Sequence, residues 1–399
     1  MRKEIPMNQE QLLHILRDQK IINSHSHHLP DGDHAALNLQ HVMEHSYVSW
    51  CTPSIPDGKD RREVESWLNA VRTRSYFISM ERALMDIYDI PERIRFETWD
   101  LYDCAIRKAH ADPDWHIRLL KQCNYEAIFL DAFWKPGDDN GHADLFRPAM
   151  RVNSFFFGYD RQAKDHNGNN AQLLYGLNTR DLDEYTAFLD AELQRRHDAG
   201  LPLIKCALAY DRGLCFGRAT RDQARRAMQP NPSADDIAAF QNYLFHHICE
   251  QSTAINMPMQ IHTGLGLMDN SRAMGLQSAI AAHPDTRFIL MHGSYPWTAD
   301  ILGLTHVFPN VWADLCWLGL ISTAAAHRFL HELIDVCNAD RIVWGCDTWT
   351  SEESYGARST FLNLFSHVLA ERIQYGLMDD SDALRLSQNV LHDNAQTLL

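Results

Sequence analysis

The 399-residue sequence contains no dense block of lysine or arginine, no CxxC pair and no apolar run long enough to span a membrane. Each absence excludes something. Without basic clusters, and with a formal net charge of −15, the chain lacks the electrostatic footprint of a nucleic-acid binder. The nine cysteines are odd in number and scattered from Cys51 to Cys346, which points to a reducing compartment rather than a disulfide framework. The opening Met-Arg-Lys-Glu-Ile-Pro does not have the pattern of a signal peptide, and no membrane-spanning helix is expected, so the cytoplasm is the expected location. No GxGxxG loop follows the first apolar strand, which argues against a doubly wound dinucleotide-binding sheet. No low-complexity tract or linker divides the chain, and residues 1–399 read as one unit.

Apolar residues make up 45% of the chain and charged residues 22%, enough for a large core. Residues 8–19 predict an amphipathic helix, followed by an apolar strand at Ile21–Ser24. Residues 31–110 are rich in charge and helix formers, punctuated by Pro53, Pro56 and Pro91, and predict a mainly helical insertion after that strand. From about residue 113 helices alternate with short apolar strands. The further strand candidates are Ala127–Leu130, Ala149–Phe157, Leu203–Ala209, Met259–His262, Phe288–His292, Val311–Leu315 and Ile342–Cys346. Helices are predicted over 181–199, 235–255, 271–282, 323–336 and 356–374, and a loop over 211–234. Eight strands alternating with helices predict parallel pairing and an α/β fold of the (β/α)8 TIM-barrel type.

Polar residues fall at the ends of these strands. The first ends in His25-Ser26-His27, the fourth carries Lys205, the fifth ends in His262, the sixth in His292 and the eighth in Asp347. In a (β/α)8 barrel the C-terminal strand ends meet at one face, where active sites lie. Strand side chains alternate, so His25 and His27 face the same way and can grip one ion. In a chain with 22 histidines a lone His-x-His is a weak signal. The ordered series is stronger, and imidazole with carboxylate suits zinc or a related divalent metal, with manganese or iron able to use the same set.

The series resembles the amidohydrolase superfamily. His25-Ser26-His27-His28-Leu29-Pro30 is similar to the start of uronate isomerases. The runs Met259–Gly266 and His292–Trp297, with Lys205 to Arg212, resemble the amidohydrolase-2 branch, in particular the barrel half of nodulin/glutamine-synthetase-like fusion proteins. The resemblance covers about residues 20–395 and implies a set of roles. His25, His27 and Asp347 would bind a first ion. Lys205, as a carbamate, would bridge to a second ion held by His262 and His292; as an ordinary lysine it would leave one ion, with His292 a base or orienting group. Asp347 would take a proton from a metal-bound water. The implied activity is hydrolysis of a C–N or C–O bond (amide, lactone or ester) in a small polar, carboxylated molecule. The alternative is a uronate (aldose–ketose) isomerase or a decarboxylase on the same scaffold, and a catalytically silent binding module is the third reading.

Arg212, after the fourth strand, is a candidate to hold a substrate carboxylate, and Tyr295, Trp297 and Trp349 are candidate cavity residues. Asp131 could line the cavity or a turn. Asp314 is expected to be a buried partner of a histidine, His28 to pack on the other side of its strand, His246 and His247 to be on the surface, His283 to cap a helix end and Cys346 to sit in the core. The expected partner is a small-molecule substrate; homo-oligomerisation stays open.

Overall fold

The computed structural model describes residues 6–52 and 54–399, so the opening pentapeptide and Pro53 lie outside the described residues. The strands are β1 (Ile21–Ser26), β2 (Tyr125–Leu130), β3 (Phe146–Pro148), β4 (Met150–Arg151), β5 (Ile204–Cys206), β6 (Met259–Ile261), β7 (Phe288–Leu290), β8 (Val311–Asp314) and β9 (Ile342–Val343). They pair in parallel in two sheets, β1-β2-β3 and β4-β5-β6-β7-β8-β9. One stretch of chain forms both β3 and β4. The Ala149 N–H bonds back to Leu130, and the Met150 N–H turns forward to Leu203. The eight predicted strand positions are therefore all occupied. Beyond β9 the chain runs beside β1: Ser24 N–H donates to Trp344 (3.0 Å), Asp347 N–H to His25 (2.9 Å) and His27 N–H to Thr348 (2.9 Å). Ile22, Phe129, Leu203, Ile289 and Val343, drawn from both sheets, join Ala395 and Leu398 in one buried cluster. Burial on both faces explains why these strands read as continuous apolar runs.

Between β1 and β2 the described residues contain helices and turns but no strand; the longest helices are Arg61–Val71, Ser75–Tyr88 and Phe96–His110. Asp60 caps the first of these by accepting the Arg62 and Glu63 N–H groups. Ser75–Tyr88 docks on the helix Ser351–Gln374, where Gly356 lets the backbones approach: a Cβ there would lie 2.9 Å from the Ser79 carbonyl oxygen. The helices predicted over 181–199, 235–255 and 323–336 are observed as Leu182–Asp198, Ala234–Ala254 and Thr323–Val336. No helix among the described residues is long and apolar enough to cross a membrane.

Several predicted boundaries are corrected. The strand expected over Ala149–Phe157 ends at Arg151, because the Asn153 side chain takes the next ladder donor, Ala207 N–H, and a 3-10 turn over Asn153–Phe157 follows. Likewise the strand expected over Leu203–Ala209 ends at Cys206, and Leu208–Tyr210 is a 3-10 turn. The loop expected over 211–234 contains the helix Arg221–Ala227, with Thr220 and Gln223 in a capping box. The helix expected over 271–282 is two 3-10 turns before a helix at Gln277–Ala282.

Candidate metal centre

β1 delivers His25, the residue just past its end delivers His27, and the chain after β9 delivers Asp347 opposite them. Asp347 has φ 59°, a left-handed conformation that costs a non-glycine residue free energy and is characteristically retained at functional sites. His25 Nε2 and His27 Nε2 are 3.3 Å apart, and Asp347 Oδ1 lies 3.4 Å from the first and 3.3 Å from the second. Four ligands at zinc-like bond lengths stand about 3.3 Å from one another in a tetrahedron, so the triangle has the spacing of a ligand set. Asp347 Oδ1 is buried and makes no hydrogen bond. An orphaned carboxylate oxygen between two imidazole nitrogens fits a divalent cation.

The outward hydrogen bonds fix which ring nitrogens can ligate. A ring nitrogen facing a carbonyl oxygen must carry the proton. His27 Nδ1 donates to the Asp131 carbonyl (2.8 Å), His262 Nε2 to that of Gly264 (3.1 Å) and His292 Nδ1 to that of Cys316 (3.1 Å). With one nitrogen so committed, the inner nitrogen of each ring is the one placed to offer a lone pair, the arrangement that metal-binding histidines show. For His262 and His292 the two inner nitrogens, Nδ1 and Nε2, face each other at 2.9 Å. Two lone pairs at that distance need a shared proton or a cation. Burial lowers the His25 pKa to about 3 and the His292 pKa to about 4, and pushes His262 well down. All three favour the neutral, ligating form. Burial opposes ionisation of Asp347, but His25, His27 and His292 outweigh it and hold its carboxyl well below the usual range.

Lys205 is buried on β5, with Nζ 3.3 Å from His25 Nε2 and 2.6 Å from Met291 Sδ. Burial pushes its pKa down from 10.5, towards the neutral amine that could take up carbon dioxide. No third His, Cys, Asp or Glu among the described residues completes a metal-sized cluster with His262 and His292 together. A second ion there would rely on Lys205.

A cavity of about 180 Å³ opens beside these groups, and Lys205, His262, Asp347 and Trp349 are among its lining. Trp349 stacks on His27, with centroids 5.4 Å apart. Of the lining residues that sequence reasoning missed, Tyr47 and Arg151 carry polar groups into the site. Tyr47, on a 3-10 turn of the helical segment, donates its hydroxyl to Asp347 Oδ2 (2.9 Å); nothing in its local sequence marks it. Arg151, at the end of β4, pairs with Asp131 at 2.5 Å and donates to His166 Nε2 at 3.2 Å. A charged residue inside a predicted apolar strand was the available signal. Its Nε is buried without a partner. Although burial alone would raise the Asp131 pKa, Arg151 brings it down to about 2.

The other candidates are placed elsewhere. Arg212 turns away from the cavity and donates to Gly213, Cys215, Gln241 and Asn242, while its guanidinium covers the Phe216 ring. Trp297 lies under Arg272, and Tyr295 packs against the core; neither lines the cavity. Asp314 is buried as expected, but its partners are Ser24, Gln260 and the Cys316 N–H rather than a histidine. His246, expected on the surface, is buried and bonded to His283 at 2.8 Å, and His283 is the C-cap of the helix Gln277–Ala282. Cys346 is buried and accepts from Asn23 and Thr348.

The chain is similar to known proteins. Over 152 residues the chain is 32% identical to Protein fluG of Emericella nidulans, a match covering 37% of this chain and 18% of that protein. The fold superposes on uronate isomerase from Thermotoga maritima with a TM-score of 0.76 at 17% identity, covering 98% of both chains. A provisionally named metal-dependent hydrolase from Lactobacillus casei superposes with a TM-score of 0.72 at 15% identity, covering 97% of this chain and 96% of that one. Residues 109–399 match the family model described as Amidohydrolase, a span that contains Lys205, His262, His292 and Asp347. The chain belongs to the amidohydrolase family.

Proposed function

We propose that this protein is a metal-dependent hydrolase that cleaves a C–N or C–O bond in a small carboxylated molecule. The observation that carries the reading is the His25–His27–Asp347 triangle with its orphaned Asp347 oxygen. Such a site suits zinc, which when bound would polarise a carbonyl and acidify water. A second ion would be held by His262, His292 and a carbamylated Lys205; with Lys205 unmodified there is one. The whole chain acts as one unit, with the strands closed into a (β/α)8 barrel by the contacts between β1 and the chain after β9.

The residues divide the remaining work. Asp347, ionised at neutral pH, takes the proton of the attacking water and returns it to the leaving nitrogen or oxygen. Tyr47 donates to the other carboxylate oxygen and keeps Asp347 oriented. Arg151 offers its unpartnered Nε to the substrate carboxylate. Trp349 and Phe133 flank His27 and restrict water around it.

The Tyr47–Asp347 pair favours a second reading. A phenol hydrogen-bonded to a carboxylate is also a proton shuttle for aldose–ketose isomerisation, the activity named for the Thermotoga maritima neighbour; decarboxylation would use the same electrophilic site. Incubating the zinc-loaded protein with a panel of lactones, N-acyl amino acids and esters, set beside uronates, separates the readings. Turnover of the first group supports hydrolysis. Turnover of uronates alone replaces it with isomerisation.

A further inference from the structure

A second cluster of histidines lies outside the cavity lining, beginning at His28, two residues past the end of β1, whose side chain meets His116 while that of His27 lines the cavity. His28 is buried, and its Nε2 is 2.8 Å from His116 Nδ1. His34 stacks on His116 with centroids 4.0 Å apart. The outer nitrogen, His116 Nε2, is buried without a hydrogen bond and lies 3.3 Å from Asp31 Oδ1. His142 Nε2 is 2.8 Å from the same oxygen. These three atoms form a group of the size a metal ion requires. The rings of His116 and His142 stand at 84°, so their in-plane lone pairs can converge. His28 and His34 face the other side of His116: His28 Nε2 lies at hydrogen-bond distance from its Nδ1, and His34 stacks on its ring at 12°, so neither approaches an ion at His116 Nε2 in the plane of that ring.

We propose that Asp31, His116 and His142 bind a divalent ion of the zinc class, separate from the catalytic centre. One carboxylate and two imidazoles are a borderline-metal donor set. The His116 Nδ1–H would donate to His28, the outward bond that orients a ligating histidine and leaves its Nε2 lone pair free. Asp31 is 51% exposed, which gives the ion a way in and a water as a further ligand. The three residues come from the helix Asp31–His34, the helix Trp115–Gln122 and the loop between β2 and β3. An ion there would pin the segment that follows His27 to two distant parts of the chain.

The test is the zinc content of the full-length protein, stripped with a chelator, reloaded with zinc and desalted. Asp31→Asn and His142→Gln should each lose one zinc per chain relative to the wild type, and the loss should add to that of His25→Asn. Zinc should raise the Tm of His25→Asn by more than that of His25→Asn/His142→Gln; equal rises would contradict the proposal. Both test residues are partly exposed, so the variants are expected to fold, and circular dichroism checks this. Wild-type zinc content in folded Asp31→Asn and His142→Gln overturns the proposal, whatever the cavity does. Zinc lost with Asp31→Asn but not with His25→Asn supports this site and contradicts the catalytic reading instead.

Discussion

The Tyr47 hydroxyl donates to Asp347 Oδ2 at 2.9 Å across 300 positions of sequence. The bond divides the carboxylate: Oδ2 is taken by the phenol, and Oδ1 is left to face His25 and His27. Burial, reinforced by the Asp347 charge, pushes the Tyr47 pKa up, so the phenol remains a donor. Tyr47→Phe should lower kcat by roughly 10²-fold, the low end of a typical acid–base contribution, with zinc content unchanged. Loss of zinc in folded Tyr47→Phe would show that Tyr47 only holds the ligand in place.

Arg151 is predicted to set the preference for carboxylated substrates. Arg151→Lys keeps a charge for Asp131 but loses the fork, so KM should rise at least about tenfold, the equivalent of one charge-assisted hydrogen bond, with kcat less affected. Complete removal of the charge in Arg151→Met should instead destabilise the fold by about 3–5 kcal/mol, because it leaves Asp131 ionised and buried. An unchanged KM in Arg151→Lys would remove Arg151 from the substrate site.

Glu353 predicts a pH dependence of stability. It is buried and accepts the Tyr47 and Trp349 N–H groups, and burial lifts its pKa from 4.5 to about 8. Below the lower value both folded and unfolded chains hold the proton. Between the two values only the folded chain does, so its contribution to stability falls as pH rises, by up to about 1.4 kcal/mol per pH unit. Urea unfolding of the metal-free protein between pH 5 and 8 should show this slope. Glu353→Gln forfeits one of the two N–H bonds but should flatten the slope; equal slopes would contradict the assignment.

Two glycines separate stability from metal binding. A Cβ on Gly345 would lie 2.6 Å from the His25 nitrogen and from Ser24 Oγ, forcing apart the segments that carry Asp347 and His25. Gly345→Ala should cost about 1–3 kcal/mol, as overpacking does, and weaken zinc affinity. Gly356→Ala crowds the Ser79 carbonyl and should cost similar stability while leaving zinc affinity intact. Equal effects on zinc would mean that the metal loss merely reports unfolding.

The candidate metal set was legible as a constellation because His25, His27, Lys205, His262, His292 and Asp347 each stand at or near the end of an apolar strand, and parallel strands gather their ends on one face. The eight strand positions were legible for the same reason; their ends were not, since side chains such as Asn153 take over the ladder bonds. Tyr47 was illegible because tertiary packing of the helical segment alone brings it to Asp347. Arg212 was misplaced because its loop folds back on the helix Ala234–Ala254, where Gln241 and Asn242 capture it. His246 was misplaced because packing covers a wider arc of that helix than its polar residues suggest.

Anomalous diffraction from zinc-loaded crystals tests most directly whether His25, His27 and Asp347 hold the catalytic ion. A peak is expected within bonding distance of His25 Nε2, His27 Nε2 and Asp347 Oδ1, lost in His25→Asn. A zinc-loaded crystal with no density between those three atoms would contradict that assignment.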